Sequence, residues 1–300
     1  MEQSLKNRLT WGPVMLGLLF GLLALDHYVQ VWTNSAELNA RLQVFGGVGG
    51  TGLLALLAIV IPLATVELTS LFAAENVRPY RIVAGGGSFA LMAHAFLTQF
   101  EWFKPIAASV LAFIVVGVML ISALRRALDR ESQDAIHRMA GTLLATLYLG
   151  GLAWFLIALR VKTSPNFTGS TMVILMILLV VKFTDIGAYF GGRAIGRRKL
   201  ILWLSPGKTW EGLFCGLLTA GLVGMACAPR VSQLTWDKAF VFGVIIGGIG
   251  QLGDLLESMM KRDAEVKDSS KLIPGFGGIL DVTDSPLLAA PFAYVVFSLF

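Results

Sequence analysis

Apolar runs close to the ~20 residues that a bilayer core requires recur along the whole chain, and polar residues cluster in the gaps between them. This pattern predicts about nine transmembrane helices, near 12–32, 44–66, 82–100, 105–124, 139–159, 170–190, 212–229, 239–256 and 284–300. The expected fold is all-α, a polytopic membrane helix bundle. The first apolar run, from Val14 to Leu25, follows Lys6 and Arg8 in the manner of a signal peptide. No small-x-small cleavage site comes after it and Asp26-His27 interrupt instead, so it reads as an uncleaved first span. Glycines often stand four apart, as in Gly17/Gly21, Gly46/Gly50, Gly187/Gly191 and Gly243/Gly247. Small residues at that spacing let helix backbones approach closely in lipid.

Composition agrees with the pattern: 56% of the 300 residues are hydrophobic and 14% are charged. Ordinary soluble domains carry about a quarter charged residues, so that class is excluded. The charges also orient the bundle. With the N-terminus inside, seventeen of the 24 Lys and Arg fall in cytoplasmic segments, among them Arg125, Arg126, Arg130, Arg138 and Lys271. Six fall outside (Arg41, Lys104, Arg160, Lys162, Arg230, Lys238), and Lys182 lies within a span. The positive-inside rule then gives N-in and C-out. The net charge of +5 reflects this bias and an affinity for anionic lipid, not nucleic-acid binding. Cys215 and Cys227 lie twelve residues apart in one span with no metal-ligand spacing around them, and read as packing residues.

The two halves differ. Residues 1–169 are transmembrane helices joined by short loops without recognisable chemistry, whereas 170–300 carry polar residues in dense order on two long cytoplasmic loops. No convincing internal repeat of the transporter kind is present. At the end of the sixth span, Lys182, Asp185 and Tyr189 stand at i, i+3 and i+7, a polar stripe on an apolar helix. Ionisable groups at such depth face a partner or a water-filled cavity. Gly207-Lys208-Thr209 resembles the tail of a nucleotide-binding P-loop, but Leu202 stands where the loop's first glycine belongs, and no strand is expected ahead of it. That match is rejected.

A second cluster begins at the end of the eighth span, where Asp254, Ser258 and Lys261 share a helical face with Glu257 beside them. Lys267-Asp268 follow, then the run Pro274-Gly275-Phe276-Gly277-Gly278-Ile279-Leu280-Asp281-Val282-Thr283-Asp284. The glycines permit a sharp turn that brings backbone N–H groups close to an anion. Asp254 and Asp281, from separate segments, could hold Mg²⁺, which favours a few carboxylates plus phosphate oxygens. The neighbouring Lys and Arg would neutralise those phosphates.

Ser258-x-x-Lys261-Arg262, Lys267-Asp268 and Pro274-Gly275-x-Gly277-Gly278-x-x-Asp281-x-x-Asp284 together resemble the signature of the phosphatidate cytidylyltransferase (CDP-diacylglycerol synthase) family. Asp185-x-x-Ala188-Tyr189-x-x-Gly192 and Ser205-Pro206-x-Lys208-Thr209-x-Glu211-Gly212 resemble it too, so the likeness covers roughly residues 170–285. Two positions depart: Phe276 stands where the family usually has His, and Val282 where it usually has Arg. The departures remove a hydrogen-bond donor and a fixed phosphate partner, while the metal carboxylates remain.

The resemblance implies CMP transfer from CTP to phosphatidic acid in phospholipid biosynthesis, in a homodimer of the bacterial inner membrane whose active site faces the cytoplasm. It implies Mg²⁺ on Asp254 and Asp281, with K⁺ as a second cation. Lys208, Lys261, Arg262 and Lys267 are then expected on phosphates, with Ser258 orienting the reacting groups. Asp185, Ser205, Thr209, Asp268, Gly277, Gly278 and Asp284 are expected around the substrates. Two other functions fit parts of the pattern: CMP transfer to a different lipid phosphate, and an ion-coupled transporter using Lys182, Asp185 and Asp254.

Overall fold

The computed structural model describes residues 2–130, 132–164, 167–168, 170–231, 234–270, 272–275 and 277–299. Phe276 and Lys271 therefore lie outside the described residues. In chain order the elements are α1 (Glu2–Thr33), α2 (Ala36–Leu42), α3 (Thr51–Ala74), α4 (Arg81–Leu97), α5 (Lys104–Leu128), α6 (Ala135–Ala145) and α7 (Leu152–Val161). A π-helical turn, Thr146–Gly151, joins α6 to α7. The short strands β1 (Thr163–Ser164) and β2 (Phe167–Thr168) precede α8 (Thr171–Ile195), β3 (Lys199–Ile201), β4 (Ser205–Thr209), α9 (Trp210–Cys227), α10 (Trp236–Asp263) and α11 (Leu280–Leu299).

The all-α membrane expectation holds. Among the described residues, eight helical segments are long and apolar enough to cross a bilayer, with α6, the π-turn and α7 running as one span, Ala135–Val161. Helix α4 is the ninth apolar helix, shorter at 17 residues. Several boundaries move. The second span starts at Thr51 rather than near 44, because Gly46, Gly47 and Gly50 adopt φ of +77°, +82° and +82° and turn the chain. Helix α10 runs on to Asp263 and α11 starts at Leu280, so Ser258, Lys261, Arg262, Asp281 and Asp284 are helical residues. A strand does precede Gly207: β3 pairs antiparallel with β4, Lys199 opposite Thr209 and Ile201 opposite Ser205. The apolar run Leu200–Leu204 hid this hairpin, since it is too short to tell a strand from a helix by periodicity.

Packing divides the chain into two compact units, Met1–Thr163 with Ala264–Val282, and Ser164–Asp263 with Thr283–Phe300. In the first, Ile61, Ala64 and Leu68 of α3, Met92 and Ala95 of α4, and Leu149, Ala153 and Ile157 are buried together with Asp26 and Arg160. Helix α5 exposes Phe113, Leu120, Ile121 and Leu124, an apolar face of the kind that lipid covers. In the second unit, Val173, Ile177 and Val180 of α8, Phe242 and Ile246 of α10, and Ala289 and Ala293 of α11 form the core. Phe242 and Phe297 pack with ring centroids 4.6 Å apart.

The four-residue glycine spacing has more than one cause. A Cβ on Gly187 or Gly191 of α8 would strike Thr219 or Cys215 of α9, and one on Gly243 of α10 would strike Ala220. Those glycines let α8 and α10 approach α9 closely. Gly17 and Gly21 face open space, so packing within the chain gives no reason for them.

Candidate functional site

In the second unit the polar stripe of α8 meets α10 and β4. Gln251 Nε2 donates to Asp185 Oδ1 at 2.6 Å. Lys208 Nζ reaches Asp254 Oδ2 at 2.6 Å and the Gln251 carbonyl at 3.5 Å. One turn further along α10, Lys261 Nζ holds Glu257 Oε2 at 3.0 Å, and Glu257 is 1% exposed. Lys182 lies close enough to interact electrostatically with both Asp185 and Asp284.

Asp254, Glu257 and Asp284 each present a carboxylate oxygen within 4.8 Å of the others. Asp284 is 2% exposed, and its Oδ2 has no hydrogen-bond partner among the described residues. A buried, unmatched carboxylate oxygen is costly, and it aims at a cluster whose charge a hard cation would offset. The donor set therefore fits a divalent metal.

The glycine-rich segment belongs to the first unit and is ordered by carboxylates of the chain itself. Ile273 and Gly277 exchange backbone hydrogen bonds (2.9 and 3.1 Å), closing a turn in which Gly275 and Gly277 sit at φ +90° and +98°. Such φ values exclude most side chains. Asp281 Oδ2 accepts from the N–H of Gly278 (2.7 Å) and from the N–H (3.1 Å) and Oγ (3.0 Å) of Ser269. Glu67 of α3 accepts from Ser269, Ser270, Ile279 and Leu280. A Cβ on Gly278 would collide with the Ser269 hydroxyl and the Glu67 carboxylate. The anions that the glycines were expected to approach thus include Asp281 and Glu67.

Of the residues singled out from sequence, the second unit groups Asp185, Lys208, Asp254, Lys261 and Asp284, while the first holds Gly277, Gly278 and Asp281. Thr209 caps α9, its Oγ1 accepting from Gly212 N at 3.1 Å, and Ser205 lies on β4. Ser258 is half-buried, and Arg262, Lys267 and Asp268 are exposed. Val282 is half-buried. Sequence reasoning missed Glu67 and Gln251. Glu67 could have been found as a lone acid at the end of an otherwise apolar run, a position that needs a partner. Gln251, uncharged and inside a span, carried no comparable signal.

The profile of the Cytidylyltransferase family matches residues 42–300. A phosphatidate cytidylyltransferase of Brucella suis is 33% identical over 240 residues, covering 72% of this chain and 86% of that protein. One from Haemophilus influenzae is 45% identical over 125 residues, 40% of this chain and 43% of that protein. The uncharacterized protein YnbB of Escherichia coli is 35% identical over 185 residues, 60% of this chain and 61% of its own length. For the last two, the match spans less than two thirds of the relative's length.

Proposed function

Since the chain belongs to the cytidylyltransferase family, we propose that it transfers CMP from CTP to phosphatidic acid, forming CDP-diacylglycerol and pyrophosphate. The observation that carries the reading is the cluster in which Lys208 and Lys261 stand against Asp254 and Glu257 beside the unmatched oxygen of Asp284. Both substrates are polyanions, so bringing them together is chiefly a matter of position and charge neutralisation. A phosphatidate oxygen attacks the α-phosphorus of CTP, the α–β bridging P–O bond breaks, and its electron pair leaves with pyrophosphate. The lipid phosphate is already ionised near neutral pH, so no residue has to remove a proton from it.

Asp254, Glu257 and Asp284 are the carboxylates placed to hold a divalent cation, and the sequence signature adds Asp281. Mg²⁺ bound by such ligands neutralises phosphate charge and assists the departure of pyrophosphate. K⁺ is implied by the resemblance alone. An ammonium has three donors. Lys208 and Lys261 can therefore keep their carboxylates oriented and still donate to phosphate oxygens. Gln251 orients Asp185, the residue proposed to meet the nucleotide. The charge bias along the chain supports a site on the cytoplasmic face of a bacterial inner membrane, where CTP arrives from solution and phosphatidate from the bilayer. A homodimer is part of the same proposal, on the resemblance.

The departures at Phe276 and Val282 favour a second reading, in which CMP goes to another lipid phosphate such as a polyprenyl phosphate. Purified protein given CTP and Mg²⁺ in mixed micelles with either lipid separates the two readings. The first expects pyrophosphate release with phosphatidate. Release with polyprenyl phosphate alone favours the second, and release with neither refutes both.

A further inference from the structure

Glu67 lies in a transmembrane helix and is 5% exposed, yet its carboxylate is fully engaged. Each oxygen takes one backbone N–H and has one serine hydroxyl within hydrogen-bond distance. Oε1 accepts from Ser270 Oγ (2.5 Å) and Ile279 N (3.0 Å), and Oε2 from Leu280 N (2.8 Å), with Ser269 Oγ 3.2 Å away. Burying a carboxylate is costly unless donors of this kind surround it. The two N–H groups belong to the N-terminus of α11, where the helix dipole favours an anion. Fixing the start of one helix does not by itself call for the two serines.

Ser269 Oγ has a single proton but lies within hydrogen-bond distance of both Glu67 Oε2 (3.2 Å) and Asp281 Oδ2 (3.0 Å). Asp281 also accepts from Ser269 N and from the N–H of Gly278, the residue next to Ile279. Ser269 and Gly278, which donate to Asp281, are thus residues that Glu67 holds directly or through an adjacent peptide. We propose that Glu67 is a positioning residue, a carboxylate supplied by α3 that holds Ser269, Ser270, Ile279 and Leu280 and so sets the orientation of Asp281. This rests on the metal-dependent reading given above, in which Asp281 is a ligand. It gives one helix of the N-terminal half a part in the chemistry.

The isosteric variant Glu67→Gln replaces one acceptor by an NH₂ group that must face a backbone N–H and a hydroxyl already oriented as donors. Partners that orient a metal ligand typically account for 10–100-fold in metal affinity. In the full-length protein in detergent, Mn²⁺ binding followed by the free-ion paramagnetic resonance signal should weaken about 10-fold or more. The kcat for CTP should fall with it, while KM for phosphatidate stays unchanged. Ser270→Ala removes a Glu67 partner without touching Asp281, and should shift Mn²⁺ affinity in the same direction by less. A folded Glu67→Gln protein with native Mn²⁺ affinity, beside a native protein that binds Mn²⁺ and consumes CTP, overturns this proposal alone. If Glu67→Gln does not fold, unchanged Mn²⁺ affinity in Ser270→Ala overturns it. A native protein that binds no Mn²⁺ overturns the metal-dependent reading as well.

Discussion

Replacing Arg160 by Met should be among the most destabilising single changes in the first unit. The guanidinium is 1% exposed, and its Nε lies 2.5 Å from Oδ2 of Asp26, itself 0% exposed. Nη2 adds a 2.8 Å bond to Gln30 Oε1, and Asp26 Oδ1 accepts from Gly52 N at 3.2 Å. The chain makes room for this group at Gly49, where a Cβ would lie 2.6 Å from Nη1. Removing one partner of a buried ion pair strands the other charge, at about 3–5 kcal/mol. Removing both with Asp26→Leu/Arg160→Met should cost less than the sum of the single changes, because no charge is stranded, although the Gly52 N–H and Gln30 Oε1 each lose a partner at about 1–3 kcal/mol. The assay is reversible unfolding in mixed dodecyl maltoside and SDS micelles, run as a double-mutant cycle. A loss below about 1 kcal/mol for Arg160→Met, or additive single losses, would refute the reasoning, because a stranded buried charge must register in both.

Two other outcomes follow from the site and the charge pattern. Asp254→Asn and Asp281→Asn should each lower Mg²⁺-dependent turnover by about 100-fold or more, since each Asn keeps the shape but removes charge that a hard cation requires; near-native turnover in either folded variant removes that residue from the metal set. Reporters fused after Arg130 and Lys199 should give cytoplasmic signal, and one fused after Phe300 the opposite, on the basis of the distribution of Lys and Arg along the chain. A cytoplasmic C-terminus would mean that one helix counted as a span does not cross, α4 being the shortest of the apolar helices counted as spans among the described residues.

The sequence disclosed the helices because a span must satisfy every backbone group within itself, which forces long apolar runs. It was less informative where one residue serves two demands. Arg160 was counted among external loop charges, yet it lies in α7 against Asp26, a residue visible in the sequence only as an interruption. Arg126, counted on the cytoplasmic side, is buried in α5 and bonds the Gln133 carbonyl. The Lys182–Asp185 stripe and the α10 face at Asp254 and Lys261 were legible because helical spacing alone groups them. The pairing of Lys208 with Asp254 across 46 positions, and of Glu67 with Ile279 across 212, depends on tertiary packing that spacing does not encode. The glycines of the signature were recognised as anion-approaching, but not that the chain itself supplies carboxylates there.

The central claim is that the nucleotide's α-phosphoryl group, carrying its cytidine, ends on the lipid. It is tested most directly by giving the purified protein Mg²⁺, phosphatidate and CTP labelled with radioactive phosphorus at either the α or the γ position. Label is then followed into the lipid extract and the aqueous phase. The account predicts α-label in a lipid that co-migrates with CDP-diacylglycerol, matched mole for mole by γ-label in pyrophosphate. Appearance of γ-label in the lipid, or consumption of CTP with no α-label in the lipid, would contradict it.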